Sequence, residues 1–262
     1  MTSGVQVHRG GKSNGGPVVC AAHPSEDFGG ATAELLGIVS RAQTVCVNAH
    51  GRSLEQMVDA VEAERVRLNL PPWIFWGMSG GGFLAQIYAH RHPKALAGIV
   101  VESACPCFKA RVEDSSCVLS PSNAAWVGPI KEAGLAGVDP GAGPTEWVEM
   151  QGGWNVLRRV NGPAVMVVPG KLDDAMRAAM PLLLAFDARP WLSSVKVPAL
   201  VIAGADDPVA PLHHVKKVHE ALGDRSTWLV VKGGGHVPTT LRHPDVISGY
   251  QAFLAKHHLV KA

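Results

Sequence analysis

The chain has 262 residues, 47% of them hydrophobic, with 24 Lys and Arg against 22 Asp and Glu. That is enough apolar chain for one large core, and a formal net charge of +2 without a basic cluster gives no electrostatic basis for binding nucleic acid or an anionic membrane. No run of 18 uncharged apolar residues occurs, and the polar, Gly-rich start MTSGVQVHRGGKSNGG lacks the basic-then-apolar order of an export signal, so the expectation is a soluble, cytoplasmic protein.

Short apolar runs alternate with longer stretches of helical period. The predicted strands are 17–23 (PVVCAAH), 44–49 (TVCVNA), 73–78 (WIFWGM), 96–103 (LAGIVVES), 198–205 (PALVIAGA) and 226–233 (STWLVVKG). Between them, SLEQMVDAVEAERVRLNL reads as an amphipathic helix with Leu54, Met57, Val58, Val61 and Val66 near one face. FLAQIYAHRHP, PLHHVKKVHEAL and VISGYQAFLAKHH are also helix-like. The pattern is that of an α/β protein with a doubly wound, mostly parallel sheet. From Pro106 to Val197 the alternation stops, and Pro, Gly and four tryptophans (Trp126, Trp147, Trp154, Trp191) accompany short helical pieces. A loop of that length without structure does not fit a compact domain, so the expectation is a largely helical cap insertion over 106–197, with 1–105 and 198–262 as the core.

Five cysteines, Cys20, Cys46, Cys105, Cys107 and Cys117, cannot all pair within one chain and read as free thiols. Cys105-Pro106-Cys107 has no second pair at ligand spacing and is not read as a metal site. The doublets His213-His214 and His257-His258 read as solvated surface, since adjacent helical side chains point in different directions.

The stretch Gly77-Met78-Ser79-Gly80-Gly81 fits G-x-S-x-G between a buried strand and a helix. In such an elbow the serine takes a strained backbone conformation that presents its hydroxyl, and glycines at 77 and 81 avoid clashes with nearby backbone. The Gly80 amide, at a helix start, can stabilise developing negative charge. A serine hydroxyl is a poor nucleophile near neutral pH and needs a base held by a carboxylate. His236, on the loop Gly233-Gly234-Gly235-His236 after the last strand, can supply the base, and Asp206 or Asp207, after PALVIAGA, the carboxylate.

With these parts in the order Ser, Asp, His, the chain resembles the α/β-hydrolase superfamily over nearly its whole length. The resemblance implies Ser79 as nucleophile, His236 as general base and, in the turn Gly204-Ala205-Asp206-Asp207-Pro208-Val209-Ala210-Pro211, Asp207 as the acid. It also implies a second oxyanion donor, the backbone amide of Ser25 in His23-Pro24-Ser25, where proline replaces the family's glycine. His23 itself is expected to pack beneath the loop. A loop that is longer in many members is reduced to His50-Gly51-Arg52-Ser53, and the first strands to a small hairpin around VQVHRGG.

The implied chemistry is hydrolysis of a small to medium apolar ester or lactone through an acyl-enzyme, with no metal or organic cofactor and a small molecule as partner. The insertion's tryptophans and MPLLLAF suggest an apolar pocket. A proline iminopeptidase-like amidase, with Glu146 and Glu149 holding an amine, and a slow-turnover small-molecule receptor are the alternatives.

Overall fold

The computed structural model describes residues 6–12, 16–25, 29–137, 143–150, 153–168, 170 and 172–259. The central sheet contains β1 (Val7–Gly10), β2 (Val19–His23), β3 (Thr44–Asn48), β4 (Trp73–Met78) and β5 (Leu96–Glu102). The cap follows, with α-helices Phe108–Val112, Ala124–Glu132 and Asp174–Leu184 around β6 (Thr145–Met150), β7 (Trp154–Arg159) and β8 (Ala164–Val168). β9 (Ala199–Gly204) and β10 (Ser226–Val231) then return to the central sheet. In chain order the helices are α1 (Gly30–Ser40), α2 (Leu54–Arg67), α3 (Gly80–Arg91), the cap helices α4, α5 and α6, α7 (Leu212–Leu222) and α8 (Pro244–Lys256).

The seven strands lie in the order β1-β3-β2-β4-β5-β9-β10. All neighbours are parallel except β1, which pairs antiparallel with β3. All six predicted strands are present, each within two residues of its expected ends. The N-terminal expectation differs: the described part of VQVHRGG is a single strand on the sheet edge, and Val5 lies outside the described residues.

Side-chain alternation divides the core in two. Trp73 and Phe75 of β4 point toward α2 and α3, with Val45, Val47, Ile99, Val101 and Val201. Ile74 and Trp76 point toward α1 and α8, with Val100, Leu200 and Ile202. Both faces of the sheet are therefore covered, as a parallel sheet requires. Every chain connection that carries a functional side chain leaves from the carboxyl ends of these strands.

The cap is helical only in part, because β6, β7 and β8 form an antiparallel three-stranded sheet within it. β6 and β7 escape an apolar-run reading because charged residues interrupt or end them, whereas β8, AVMVV, is a short apolar run. Glu146 on β6 faces Arg158 on β7 in a 2.7 Å ion pair. The sequence signal that was overlooked is Asn161-Gly162, a hairpin dipeptide: Asn161 adopts φ of 54°, and Arg159 and Pro163 close the turn at 3.0 Å. Alternate residues of this sheet serve two cores. Leu157, Met166 and Val168 join the main one, while Val156 and Val167 meet Trp126, Ile130 and Leu135 in a small core of the cap.

The histidine doublets are not plain surface. His213 and His214 both reach Asp114, and His214 is buried, because the carboxylate draws the two rings to one side of α7. His257 lays its ring 5.1 Å from that of Phe253, leaving His258 to the solvent. All five cysteines are buried free thiols. Among the described residues no helix is long and apolar enough to cross a membrane.

A cap with its own small core should open as a unit. Trp126→Ala, which removes the ring packed 4.1 Å from Trp154, should cost about 3–5 kcal/mol locally. Hydrogen exchange should then quicken in α5 and β6–β8 while the amides of β4 and β5 keep their protection.

Candidate active site

Ser79 follows β4 with φ of 50° and ψ of −114°. A positive φ is costly for a residue with a side chain, so the surroundings must enforce it. They do so by hydrogen bonding and crowding. The Ser79 amide donates to the Glu102 carbonyl at 2.9 Å, and the Gly82 amide to the Ser79 carbonyl at 2.9 Å. A β-carbon on Gly77 would lie 2.3 Å from the Gly81 oxygen, and one on Gly81 would lie 2.4 Å from the Ala22 oxygen. α3 can lie this close to β4 only with glycine at 77, and this close to β2 only with glycine at 81. α3 starts at Gly80, directly after the serine.

His236 and Asp207 meet Ser79 where β9 and β10 end. His236 Nε2 is 2.9 Å from Ser79 Oγ, and Nδ1 is 2.8 Å from Asp207 Oδ2. The other Asp207 oxygen accepts the amides of Val209 and Ala210, each at 2.8 Å. Burial by itself would raise the Asp207 pKa. The hydrogen bond and charge of His236, together with the Ala210 and Val209 amides, outweigh it and hold the carboxyl below its ordinary range. Asp206 is exposed, with its amide tied to the Gly234 carbonyl. Of the two candidate carboxylates, Asp207 is therefore the one that holds the imidazole.

Glu102 and Ser103, at the end of β5, were not among the residues the sequence singled out. Glu102 is fully buried and accepts from Trp76 Nε1 at 2.9 Å, the Thr239 amide at 2.8 Å and Thr239 Oγ1 at 2.7 Å. Burial raises its pKa despite these donors. Ser103 Oγ accepts the Val237 amide at 3.1 Å, and the Ser103 amide donates to the Ile202 carbonyl. These two residues thus tie the Ser79 turn, the histidine loop and β9 to one strand end. The available signal was a carboxylate closing the otherwise apolar run GIVVE.

The turn after β2, where the resemblance implies a second oxyanion donor, is more constrained than expected. The Ser25 amide donates to His23 Nδ1 at 3.1 Å, so a substrate oxygen must compete with that imidazole. A β-carbon on Gly80 would lie 2.9 Å from His23 Nε2, which places the ring beside the start of α3. Burial drives the His23 pKa from 6.5 to about 4; the Asp173 carboxylate opposes this shift and His236 adds to it. Asp173 caps α6 through Met176 and accepts Ser25 Oγ at 2.6 Å, joining the cap to this turn.

The cap tryptophans have packing partners. Trp126 meets Trp154, the Trp147 indole donates to the Arg177 carbonyl, and Trp191 stacks on His90 at 4.6 Å. A cavity of about 710 Å³ in the cap, lined by Val112, Val127, Leu135, Val165 and Leu184 among others, contains none of Ser79, Asp207 and His236. Glu146 is already paired with Arg158, and Glu149, three residues along the same strand, faces the opposite side; no convergent amine site results.

The profile of the TAP-like protein family matches residues 186–259. A pimeloyl-[acyl-carrier protein] methyl ester esterase from Aromatoleum aromaticum is 29% identical over 208 residues, 75% of this chain and 78% of that protein. An alpha/beta fold family hydrolase from Bacillus anthracis superposes with a TM-score of 0.71 at 14% identity, covering 95% of each chain. An enol-lactonase from Burkholderia xenovorans does so with a TM-score of 0.63 at 14% identity, covering 96% of each.

Two measurements check this geometry. A β-carbon on Gly204 would lie 2.2 Å from the Gly235 oxygen, whereas one on Gly235 meets nothing within 4 Å. Gly204→Ala should displace the histidine loop and, for a shift of about 1 Å, lower kcat on the order of 10²-fold, with Gly235→Ala close to wild type. The second concerns His23, whose folded pKa of about 4 lies below the unfolded 6.5. Its neutral ring contributes stability in full above pH 6.5, and that contribution is lost as pH falls toward 4. Denaturant unfolding across this range should show a shallower pH dependence in His23→Gln than in wild type.

Proposed function

Because this chain has the fold of the α/β-hydrolases, we propose that it is a serine hydrolase acting on a small to medium apolar carboxylic ester or lactone. The observation that carries this reading is the unbroken relay from Asp207 through His236 to Ser79, with contacts of 2.8 and 2.9 Å. The esterase named among its relatives supports the ester class, and the enol-lactonase of the same fold is compatible with a lactone.

In this mechanism His236 Nε2 takes the Ser79 proton as Oγ attacks the acyl carbonyl. Asp207 fixes the imidazole tautomer and stabilises the imidazolium without accepting its proton. The oxyanion forms beside the Gly80 amide, and the Ser25 amide serves as second donor once it leaves His23; each such donor is worth about 3 kcal/mol of barrier. His236 returns the proton to the departing alkoxide, giving the free alcohol and an acyl-Ser79. Water, deprotonated by the same imidazole, attacks the acyl carbonyl, and the acid leaves as Ser79 regains its proton. The core strands position these groups, and the cap covers the strand ends from which a substrate approaches.

Steady hydrolysis of p-nitrophenyl esters of graded acyl length, with an optimum at a definite length, is the expected result. Ser79→Ala should abolish turnover, and Asp207→Asn should lower kcat by about 10⁴-fold. Stoichiometric binding without turnover would instead identify a receptor, and preference for aminoacyl anilides an amidase. A fluorophosphonate recovered on another serine would reject Ser79.

A further inference from the structure

We propose that Asp114, His213 and His214 form a site for a divalent transition-metal ion of the zinc or nickel class, bracing the start of the cap against the turn that carries Asp207. The inference is independent of the hydrolytic reading, because none of the three residues belongs to the Ser79 relay.

Geometry is the first ground. His213 Nε2 and His214 Nε2 lie 2.7 and 2.9 Å from the same oxygen, Asp114 Oδ2. The three donor atoms fall within 4.8 Å of one another, and among the described residues this is the one group of three or more such side chains so arranged. Successive helical residues are turned by about 100°, so two adjacent histidines normally diverge. Here their ring centroids are 4.4 Å apart and the planes differ by 42°, so both rings lean to one point.

Donor chemistry is the second. Two imidazoles and one carboxylate suit a borderline ion such as zinc, whereas calcium and magnesium prefer all-oxygen sets. Ligands about 2.0–2.2 Å from a tetrahedral ion stand about 3.3–3.5 Å apart, so the carboxylate and the imidazoles must separate by about 0.4–0.8 Å. The His213 side chain, 56% exposed, has room to do so, while that of His214, 5% exposed, gives the site a fixed wall. The Ser116 amide donates to Asp114 Oδ1 at 2.8 Å and so orients the carboxylate, as an outer partner does in protein metal sites.

Placement gives the ion its role. Asp114 lies just beyond α4, and the histidines are the second and third residues of α7. The intervening segment already touches the Asp207 turn twice: the Val118 amide donates to the Pro208 carbonyl at 2.8 Å, and Cys117 Sγ to the Val209 carbonyl at 3.1 Å. A bound ion adds a third, stronger tie between cap and acid turn.

The test is calorimetric titration of the untagged full chain with zinc chloride and with nickel chloride, alongside thermal melts. One equivalent should bind, with a rise in Tm. His213→Ala, which alters an exposed ring outside the relay, should weaken binding at least tenfold and abolish the Tm rise, while a His257→Ala/His258→Ala double variant should bind as wild type does. Absence of saturable binding up to about 1 mM metal, a ceiling of about 4 kcal/mol in affinity, would overturn the proposal. Equal affinity in His213→Ala would also overturn it, as would an anomalous zinc peak elsewhere in crystals of the complex.

Discussion

Helix α3 lies so close to strands β4 and β2 that the space for two β-carbons, on Gly77 and Gly81, is occupied by backbone oxygens, and the catalytic proposal depends on this crowding. With Gly77 and Gly81 in place, the chain can turn through Ser79 in a conformation that a side chain would otherwise avoid. The cost of that turn is borne by a sheet whose neighbouring strands are buried on both faces and resist displacement. A looser turn would relax to ordinary dihedral angles and withdraw the hydroxyl from His236. Rigidity of the core and exposure of one reactive oxygen are therefore aspects of the same packing.

The second constraint concerns buried carboxylates. Asp207 and Glu102 both lie at strand ends close to His236, but their surroundings push them in opposite directions. Asp207 has the imidazole and two amides as partners and remains readily ionised. Glu102 is enclosed by an indole, a hydroxyl and an amide, and burial raises its pKa. The two groups divide the labour: Asp207 holds the ring, and Glu102 holds the loop that carries it. The separation also limits like-charge repulsion beside the relay.

Much of this was legible in the sequence, for physical reasons. Of the six predicted strands, β2, β3, β4, β5 and β9 are buried along almost their whole length and β10, at the sheet edge, in part, which makes them continuous apolar runs. Ser79, Asp207 and His236 could be found because glycines and prolines mark the turns that bear them. Less visible were features that depend on partners distant in the chain. The cap strands alternate too weakly to stand out, since Glu146 and Arg158 neutralise each other only after the sheet forms. Glu102 looked like the polar end of a strand until Thr239, 137 residues later, was placed against it. The His213-His214 doublet read as surface because nothing nearby in the chain announces Asp114. The Ser25 amide lies just beyond β2, where the resemblance implies a donor, but its bond to His23 depends on how the turn folds over the ring and had no signal in the sequence.

The five buried thiols have a consequence for handling and for history. Cys20 and Cys46 stand in adjacent parallel strands, and enclosure raises both pKa values, that of Cys46 to about 12. A thiol so placed offers almost no thiolate to an oxidant or alkylating reagent. At Cys20 and Cys46 sulfur behaves as small hydrocarbon filling volume between strands, and it becomes reactive when those strands part. Alkylation would then act as a timer of sheet opening, and damage in an oxidising setting would fall on molecules that had already begun to unfold.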